Sequence, residues 1–567
     1  MCQPEKRTRK PDPVPGRFEK RHPPFLASGM AWWVATAAVL AVTTGIRLRL
    51  LGTPLERDEG EFAYGGQLLL EGAPLYQHIY TMKWPGTHAL YALFMAVFGQ
   101  TPGGIHAGLI VVNVATAVLV FVLARRLCGD AGAFVAAGTY ALLSINPPTL
   151  GLAAHATHFV ALAALGGILL LHRIEVGTSR TRIFLAGLLL GMAALLKQPG
   201  VVFGVFAAIW LAWNEASQPD KRWRRLAVRL GCLLLGALLP FVVTCVIVAA
   251  AGTFARFWQF TFEYAFSYVS ICPWDDRIQI LRLVATALFN GAPGLWGGAA
   301  LGLILIFCDE SMRCSRPFVL GFTGFSFLAV CAGGYFREHH FILLFPAAGL
   351  LAGMAVKGLS QFMTRLRLRV PRETVPILLF TIAAACSLIQ WQEVFFRLSP
   401  AQVSWALYGI NPFSQSPEVG RYLAAHCPRQ GRIAVLGSEP QLCFYSHRRS
   451  ATGHIYMYPL TEPQPYAEVM QKEAIREIER ANPDYVVFVH FRSSWLVHED
   501  APTLIFEWYE QYKQAHLELV AWTDMPSGRQ VKYHWLPTQG SVAPESRNWL
   551  AILRNRKPAD PATVKGK

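Results

Sequence analysis

The sequence predicts a polytopic α-helical membrane protein of about eleven spans with a small C-terminal α/β domain outside the bilayer. Three observations predict it. Of the 567 residues 53% are hydrophobic and only 16% charged, where a soluble chain carries about 25% charge. Apolar runs of spanning length recur through the first two thirds of the chain. From about Glu418 charge rises and the apolar runs shrink to strand length, alternating with helical stretches. The net charge of +16 does not indicate a nucleic-acid partner. The basic residues cluster between apolar runs, as in cytoplasmic loops, and no nucleic-acid motif accompanies them. No internal repeat or phosphate-binding glycine loop stands out, which speaks against a nucleotide-driven pump.

Residues 1–27 are polar, Pro-rich and basic, and are expected to form a disordered cytoplasmic tail. The run 31–51 is too long for a signal-peptide core and reads as a retained membrane helix. Further spans are expected near 105–127, 131–147, 152–172, 181–196, 199–215, 226–251, 293–308, 317–334, 340–357 and 373–390. Arg125-Arg126, His172 to Arg182, Lys221 to Arg225, Arg313 with Arg316, and Lys357 to Arg372 fall in alternate connections, which puts the N-terminus inside. Within the membrane domain, 28–392, the first outer loop covers 53–104. Residues 76–100 are too short and interrupted for a span. They read as an amphipathic helix in the interface, with Trp84, Tyr91 and Phe94 at headgroup depth. The outer α/β domain, 393–536, should contain helices over 416–426, 467–481 and around Trp508, and strands over 432–437, 485–490, 516–522 and 530–535. Residues 537–567 are polar and basic and are expected to be disordered. Cys427 and Cys443 lie in the polar part; their spacing leaves pairing open.

The chemistry-bearing stretch is Arg57 to Pro85, RDEGEFAYGGQLLLEGAPLYQHIYTMKWP. Asp58, Glu59 and Glu61 follow a membrane helix end, where charge is costly unless solvated or paired. A carboxylate there suits removal of a proton from an acceptor hydroxyl or amine; it can alternatively hold a divalent metal. Lys83 is expected at headgroup level, where it suits a lipid phosphate, although a snorkelling lysine gives the same pattern. Lys197 in LLKQPG and Arg337, His339 and His340 in GGYFREHHFILLFP add more basic sites to the outer face than the positive-inside trend predicts. An anionic ligand explains that excess. As a metal pair His339 and His340 are weak, because adjacent residues on a helix point apart. His155 and His158, in LAAHATHFVAL, reach the same face. Their plain alternative is a buried, hydrogen-bonded structural histidine.

In these residues the chain resembles the GT-C superfamily of membrane glycosyltransferases, in the branch of protein O-mannosyltransferases and the lipid A aminoarabinose transferase. The matching features are Asp58-Glu59, the segment GAPLYQHIYTMKWPG with Lys83 and Pro85, LLKQ at Lys197, and Tyr335 to Pro346. The resemblance implies a polyprenyl-phosphate sugar donor, a glycan, lipid or protein acceptor on the outer face, and inversion at the anomeric carbon. It implies Asp58 as catalytic base, Glu59 in support, and Lys83 on the donor phosphate, helped by Lys197, Arg337 and His340. Arg57, Tyr80, His155, His158 and His339 complete the expected substrate-binding set. No cofactor is certain; a divalent metal is the one candidate. Family members often carry a second acidic residue at the outer start of the fourth span, where this chain has His158 with His155 nearby, which puts metal dependence in doubt. The expected location is the cell inner membrane, multi-pass. The alternative function, a transporter or flippase of lipid-linked glycans, would place its charged residues near the bilayer midplane; here they gather at helix ends on one face.

Overall fold

A computed structural model describes residues 29–175, 177–218, 222–367, 370–526, 530–536 and 544–556. The expected tail 1–27 and most of 537–567 lie outside the described residues. Each of the eleven apolar runs is helical. Eight helices lead the chain: α1 Gly29–Arg49, α2 Arg57–Leu70, α3 Gly86–Phe98, α4 Pro102–Ser144, α5 Ala156–Leu171, α6 Arg180–Leu196, α7 Val201–Ala216 and α8 Trp223–Ala250. Among the described residues, five helical segments can cross a bilayer by length and composition: Gly29–Arg49, Pro102–Ser144, Gln198–Ala216, Trp223–Ala250 and Glu338–Arg365. The pair Trp274–Gly291 and Pro293–Cys308, bent through 105°, is a sixth if the two count as one broken span, and four shorter apolar helices accompany them. The chain is a multi-pass membrane protein, but eleven full-length crossings are not reached among the described residues. Part of the difference is local: α4 contains two of the expected runs, joined at Gly129, whose φ of 79° breaks the helical geometry and favours a residue without Cβ.

Small residues let these helices approach closely. A side chain at Gly349, in the helix Phe345–Arg365, would meet the Ala136 carbonyl of α4 at 2.5 Å. Arg47, buried near the end of α1, donates to the carbonyls of Ser144 at 2.7 Å and Gly151 at 3.0 Å, and so fixes the turn that leads into α5.

The loop 53–104 forms α2 and α3. Tyr91 and Phe94 are buried against Phe62 and Phe159, and Trp84 packs on Phe241 and Phe262. The outward face of α3 is instead Leu93, Val97 and Phe98. The expectation that Tyr91 and Phe94 face the interface is thus corrected: Phe62 of α2 and Phe159 of α5 give these rings a protein core to enter.

The C-terminal domain is a six-stranded sheet in the order β2-β1-β3-β6-β4-β5, from β1 Arg432–Leu436, β2 Arg449–Ser450, β3 Tyr485–His490, β4 Leu517–Asp524, β5 Lys532–Trp535 and β6 Trp549–Asn555. β2, β1 and β3 are parallel; β6 is antiparallel to β3 and β4, and β5 to β4. The expected helices appear at Ser416–His426, Ala467–Ala481 and Leu504–His516. The expected end of the domain at 536, with disorder over 537–567, is corrected. Trp549–Asn555 form β6, in register with all of β3 from Tyr485↔Arg554 to His490↔Trp549. The short apolar run WLAIL was masked by its polar, basic surroundings. Cys427 and Cys443 are both buried and are not joined to each other.

This domain and the first loop share one apolar core, in which Leu55, Phe62, Tyr64 and Leu68 join Val419, Leu423, Leu442, Phe444 and Val487. α2 is therefore sandwiched between membrane helices and the sheet domain. The contact is close: a Cβ on Gly60 would meet the Gln441 backbone nitrogen at 2.7 Å.

Candidate active site

The site is organised by the first turn of α2. Glu56 caps it: its side chain accepts from the Glu59 N–H at 2.8 Å, and Glu59 accepts from the Glu56 N–H at 3.3 Å, a reciprocal capping box. With the helix start fixed, Asp58 and Glu61 fall on one face, three residues apart. Both converge on Lys83, whose Nζ lies 2.7 Å from Asp58 Oδ1 and 2.5 Å from Glu61 Oε2. The two carboxylates differ in access. Glu61 is 1% exposed and also accepts from Thr81, whereas Asp58 is 31% and Lys83 22% exposed. Asp58 accepts a further bond, at 2.7 Å, from the hydroxyl of Tyr456 in the C-terminal domain. Lys83 stands over the rings of Phe62 and Tyr456, 4.6 and 5.1 Å from their centroids.

Burial by itself would raise the Asp58 pKa, but the Lys83 ammonium and the Tyr456 hydroxyl outweigh it and hold the carboxyl well below the usual range. Burial by itself would strip the proton from Lys83; Asp58 and Glu61 outweigh it and hold the ammonium charged. Glu59 faces the other way. It accepts from the Ala154 N–H at 2.6 Å and meets His106 Nε2 at 3.0 Å, while His106 Nδ1 meets the Leu51 carbonyl at 2.8 Å. With oxygen acceptors at both ring nitrogens, His106 has the geometry of an imidazolium. Glu59 thus ties α2 to α4 and to the start of α5, which supports Asp58 without reaching the open side of the site.

A basic cluster faces the pair. The His155 ring stacks on His339 at 4.2 Å and 14°, and Lys197 Nζ lies 3.2 Å from His339 Nε2. His340 abuts His339 edge-on at 4.8 Å, and Arg337 covers the Tyr335 ring at 5.7 Å. Burial pushes His155 down to about 4, so it is neutral, and its Nε2 is buried without a hydrogen-bond partner among the described residues. Burial also brings Lys197 down to about 8, with Lys83 and Arg337 adding to the fall and Asp58 opposing it. Asp58, His155 and His339 present ligand atoms all within 4.8 Å of one another, a two-imidazole, one-carboxylate set able to hold a divalent ion. Two lysines already contact that set, Lys83 at Asp58 and Lys197 at His339.

Of the residues expected from sequence, Asp58, Lys83, His155, Lys197 and His339 come together, with His340 and Arg337 adjoining. Three do not join them. His158 is buried and directs Nε2 to the Gly151 carbonyl at 3.1 Å, as a structural histidine does. Tyr80 donates to Glu477 at 2.7 Å and stacks on Phe260, so it docks the C-terminal domain. Arg57 pairs with the fully buried Glu439 at 2.6 Å and donates to the Ser438 carbonyl, which leaves its guanidinium little to offer a substrate. The expected set omitted Glu61, whose spacing from Asp58 was a usable signal. It also omitted Tyr456 and Glu439, nearly 400 residues distant, for which the sequence carried no signal.

A multi-helix membrane domain thus holds these groups against the C-terminal α/β domain, and the chain's similarities to known proteins bear on both parts. Residues 83–265 match the family described as dolichyl-phosphate-mannose-protein mannosyltransferase, a segment that opens at Lys83 and takes in His155 and Lys197. The fold is similar to that of ArnT from Cupriavidus metallidurans bound to undecaprenyl phosphate, with a TM-score of 0.52 at 14% identity over 94% of this chain and 100% of that one. It also matches the archaeal oligosaccharyltransferase AglB from Archaeoglobus fulgidus, in complex with an inhibitory peptide and a dolichol-phosphate, with a TM-score of 0.49 at 12% identity over 90% and 75% of the two chains. No curated protein matches the chain.

Proposed function

We propose that the protein transfers a sugar from a polyprenyl-phosphate carrier to an acceptor at the outer face of the cell inner membrane. The observation that carries this reading is the accessible Asp58–Lys83 pair, 2.7 Å apart, facing a second set of cationic and imidazole groups. The undecaprenyl phosphate of the structurally similar ArnT and the dolichyl-phosphate donor in the matching family's description support the donor class.

Lys83 is the switch in this scheme. With no donor bound it is saturated by two carboxylates. A donor phosphate arriving between Lys83, Lys197 and Arg337 draws the ammonium away from Asp58. The carboxylate then becomes more basic, at the moment when a base is required. The acceptor hydroxyl or amine gives its proton to Asp58 as its lone pair attacks the anomeric carbon. The bond from that carbon to the phosphate oxygen breaks, and the electron pair leaves on the lipid phosphate. Attack opposite the leaving group inverts the centre. Lysine and arginine charges stabilise the phosphate as it departs. Glu59 and Glu61 hold the helix and the lysine without touching substrate. A divalent ion on Asp58, His155 and His339 would polarise the same oxygens, but no step here depends on one.

The test is Asp58→Asn in purified, folded protein. Transfer is expected to fall by about 10³-fold or more, the range over which loss of a catalytic base acts with loss of local charge, while polyprenyl phosphate still binds. Near-normal transfer in that variant removes Asp58 from the mechanism.

A further inference from the structure

The outer domain carries a second cavity that the transfer mechanism does not use. It has a volume of about 900 Å³ and lies beyond the carboxyl end of β3, between that strand, the start of β6 and one face of the helix Leu504–His516. In open α/β sheets this end of the strands is where ligands bind. A row of rings floors it. Phe506, Trp495, Phe488, Trp549 and His490 follow one another with centroid spacings of 4.7, 6.1, 5.9 and 4.6 Å. These spacings are of the order of a pyranose ring. Extended aromatic surface left partly open to water suits the apolar faces of sugars, which the polar rim then orients.

The rim is positive. Lys513 is neutralised by Glu510 at 2.7 Å, but Arg492 and Arg547 are exposed and pair with nothing among the described residues. Two unpaired guanidiniums beside an aromatic floor select a carboxylate- or phosphate-bearing saccharide over a neutral one.

The cavity is also linked to the site. Ser438, in the turn that grips Arg57, donates its N–H to Ser494 in the Arg492–Trp495 turn at 2.9 Å. Tyr458, under the Arg57 guanidinium, donates to the Ser493 carbonyl at 2.6 Å. Groove and Asp58 therefore flank the same carboxyl edge of the sheet. We infer that this groove binds an acidic saccharide chain and that the chain is the acceptor. The binding stands on the groove alone; the role as acceptor rests on the transferase function proposed above.

The test uses the full chain in nanodiscs, titrated with a trigalacturonate and with a neutral trisaccharide of similar size, and followed by saturation-transfer NMR and calorimetry. The trigalacturonate is expected to bind saturably and the neutral sugar at least about tenfold more weakly, with an equal loss in the surface variant Arg492→Gln/Arg547→Gln, since charge-assisted bonds carry the preference. Its melting curve should match the parent. Asp58→Asn should bind the trigalacturonate normally, so a failed transferase assay leaves this result intact. Equal binding of the neutral sugar, unchanged binding in the double variant, equal binding of an acidic peptide, or no saturable binding would each overturn the inference.

Discussion

Glu439→Gln measures how firmly the C-terminal domain holds the first turn of α2. Arg57 immediately precedes Asp58 in that turn, and its guanidinium ends on Glu439, which is 0% exposed against 12% for Arg57. Water therefore replaces little of the lost charge. Breaking a buried pair from one side costs about 3–5 kcal/mol. An amide keeps a neutral acceptor for the guanidinium and recovers about 1–1.5 kcal/mol. The remaining 1.5–4 kcal/mol or so should raise local opening of the first turn of α2 by about 10- to 900-fold. Hydrogen exchange at the Glu59 and Gly60 amides reports this directly, since they bond to the Glu56 side chain and carbonyl. The amides of α4 should be unaffected. Arg57→Met/Glu439→Met, which leaves no charge buried, should restore protection to within about fivefold of the parent. A change below about threefold in Glu439→Gln, or a double variant as labile as the single one, refutes the idea that this pair positions Asp58.

Three further outcomes are expected. Lys197, with a pKa brought down to about 8, is charged below that pH and neutral above it, so its contribution to phosphate binding is present at pH 7 and lost as pH rises. The lipid phosphate, with a second pKa of about 6, is already about nine-tenths dianionic at pH 7, so affinity for polyprenyl phosphate should drop about tenfold between pH 7 and 9, and Lys197→Arg should abolish the slope; a flat profile in the parent contradicts the role. Tyr456→Phe removes a hydrogen bond to the Asp58 carboxylate worth about 1.5–3 kcal/mol, so turnover should change by at least about tenfold while donor affinity stays within about twofold; an unaltered turnover contradicts a role for that hydroxyl at the carboxylate. Because Lys83 and Lys197 already supply positive charge at Asp58 and His339, chelation with EDTA should leave transfer within about twofold; a larger loss restored by a divalent ion would establish a metal on Asp58, His155 and His339.

Much of this site was legible in the chain because its signals are local. Asp58 and Lys83 stood out as charges beside a membrane helix end, where charge requires a reason, and Lys197, His339 and His155 as basic and imidazole groups at other ends on the same face. The eleven apolar runs became helices because a backbone in hydrocarbon must satisfy its own hydrogen bonds. What failed were inferences about side-chain destination. Arg57 and Tyr80 have the composition of ligand-binding residues, yet both are taken up by carboxylates of a domain nearly 400 residues later. His158 looked equivalent to His155 until the turn fixed by Arg47 gave it the Gly151 carbonyl. β6 was hidden because a seven-residue strand between polar segments has no pattern of its own; its identity comes from pairing with β3.

The sequence by itself determined a helical membrane domain, a C-terminal α/β domain and the presence of carboxylates and lysines at membrane helix ends, since hydropathy and local spacing are properties of neighbouring residues. Only the tertiary structure decided which carboxylate is open. Asp58 and Glu61 sit on the same face of the same helix and share one lysine, but Glu61 is enclosed by Thr81 and His88 while Asp58 is left at the surface of the site, held by a tyrosine from the C-terminal domain. Access and partner are set by what packs over a side chain, and here the covering residues come from segments far apart in the chain.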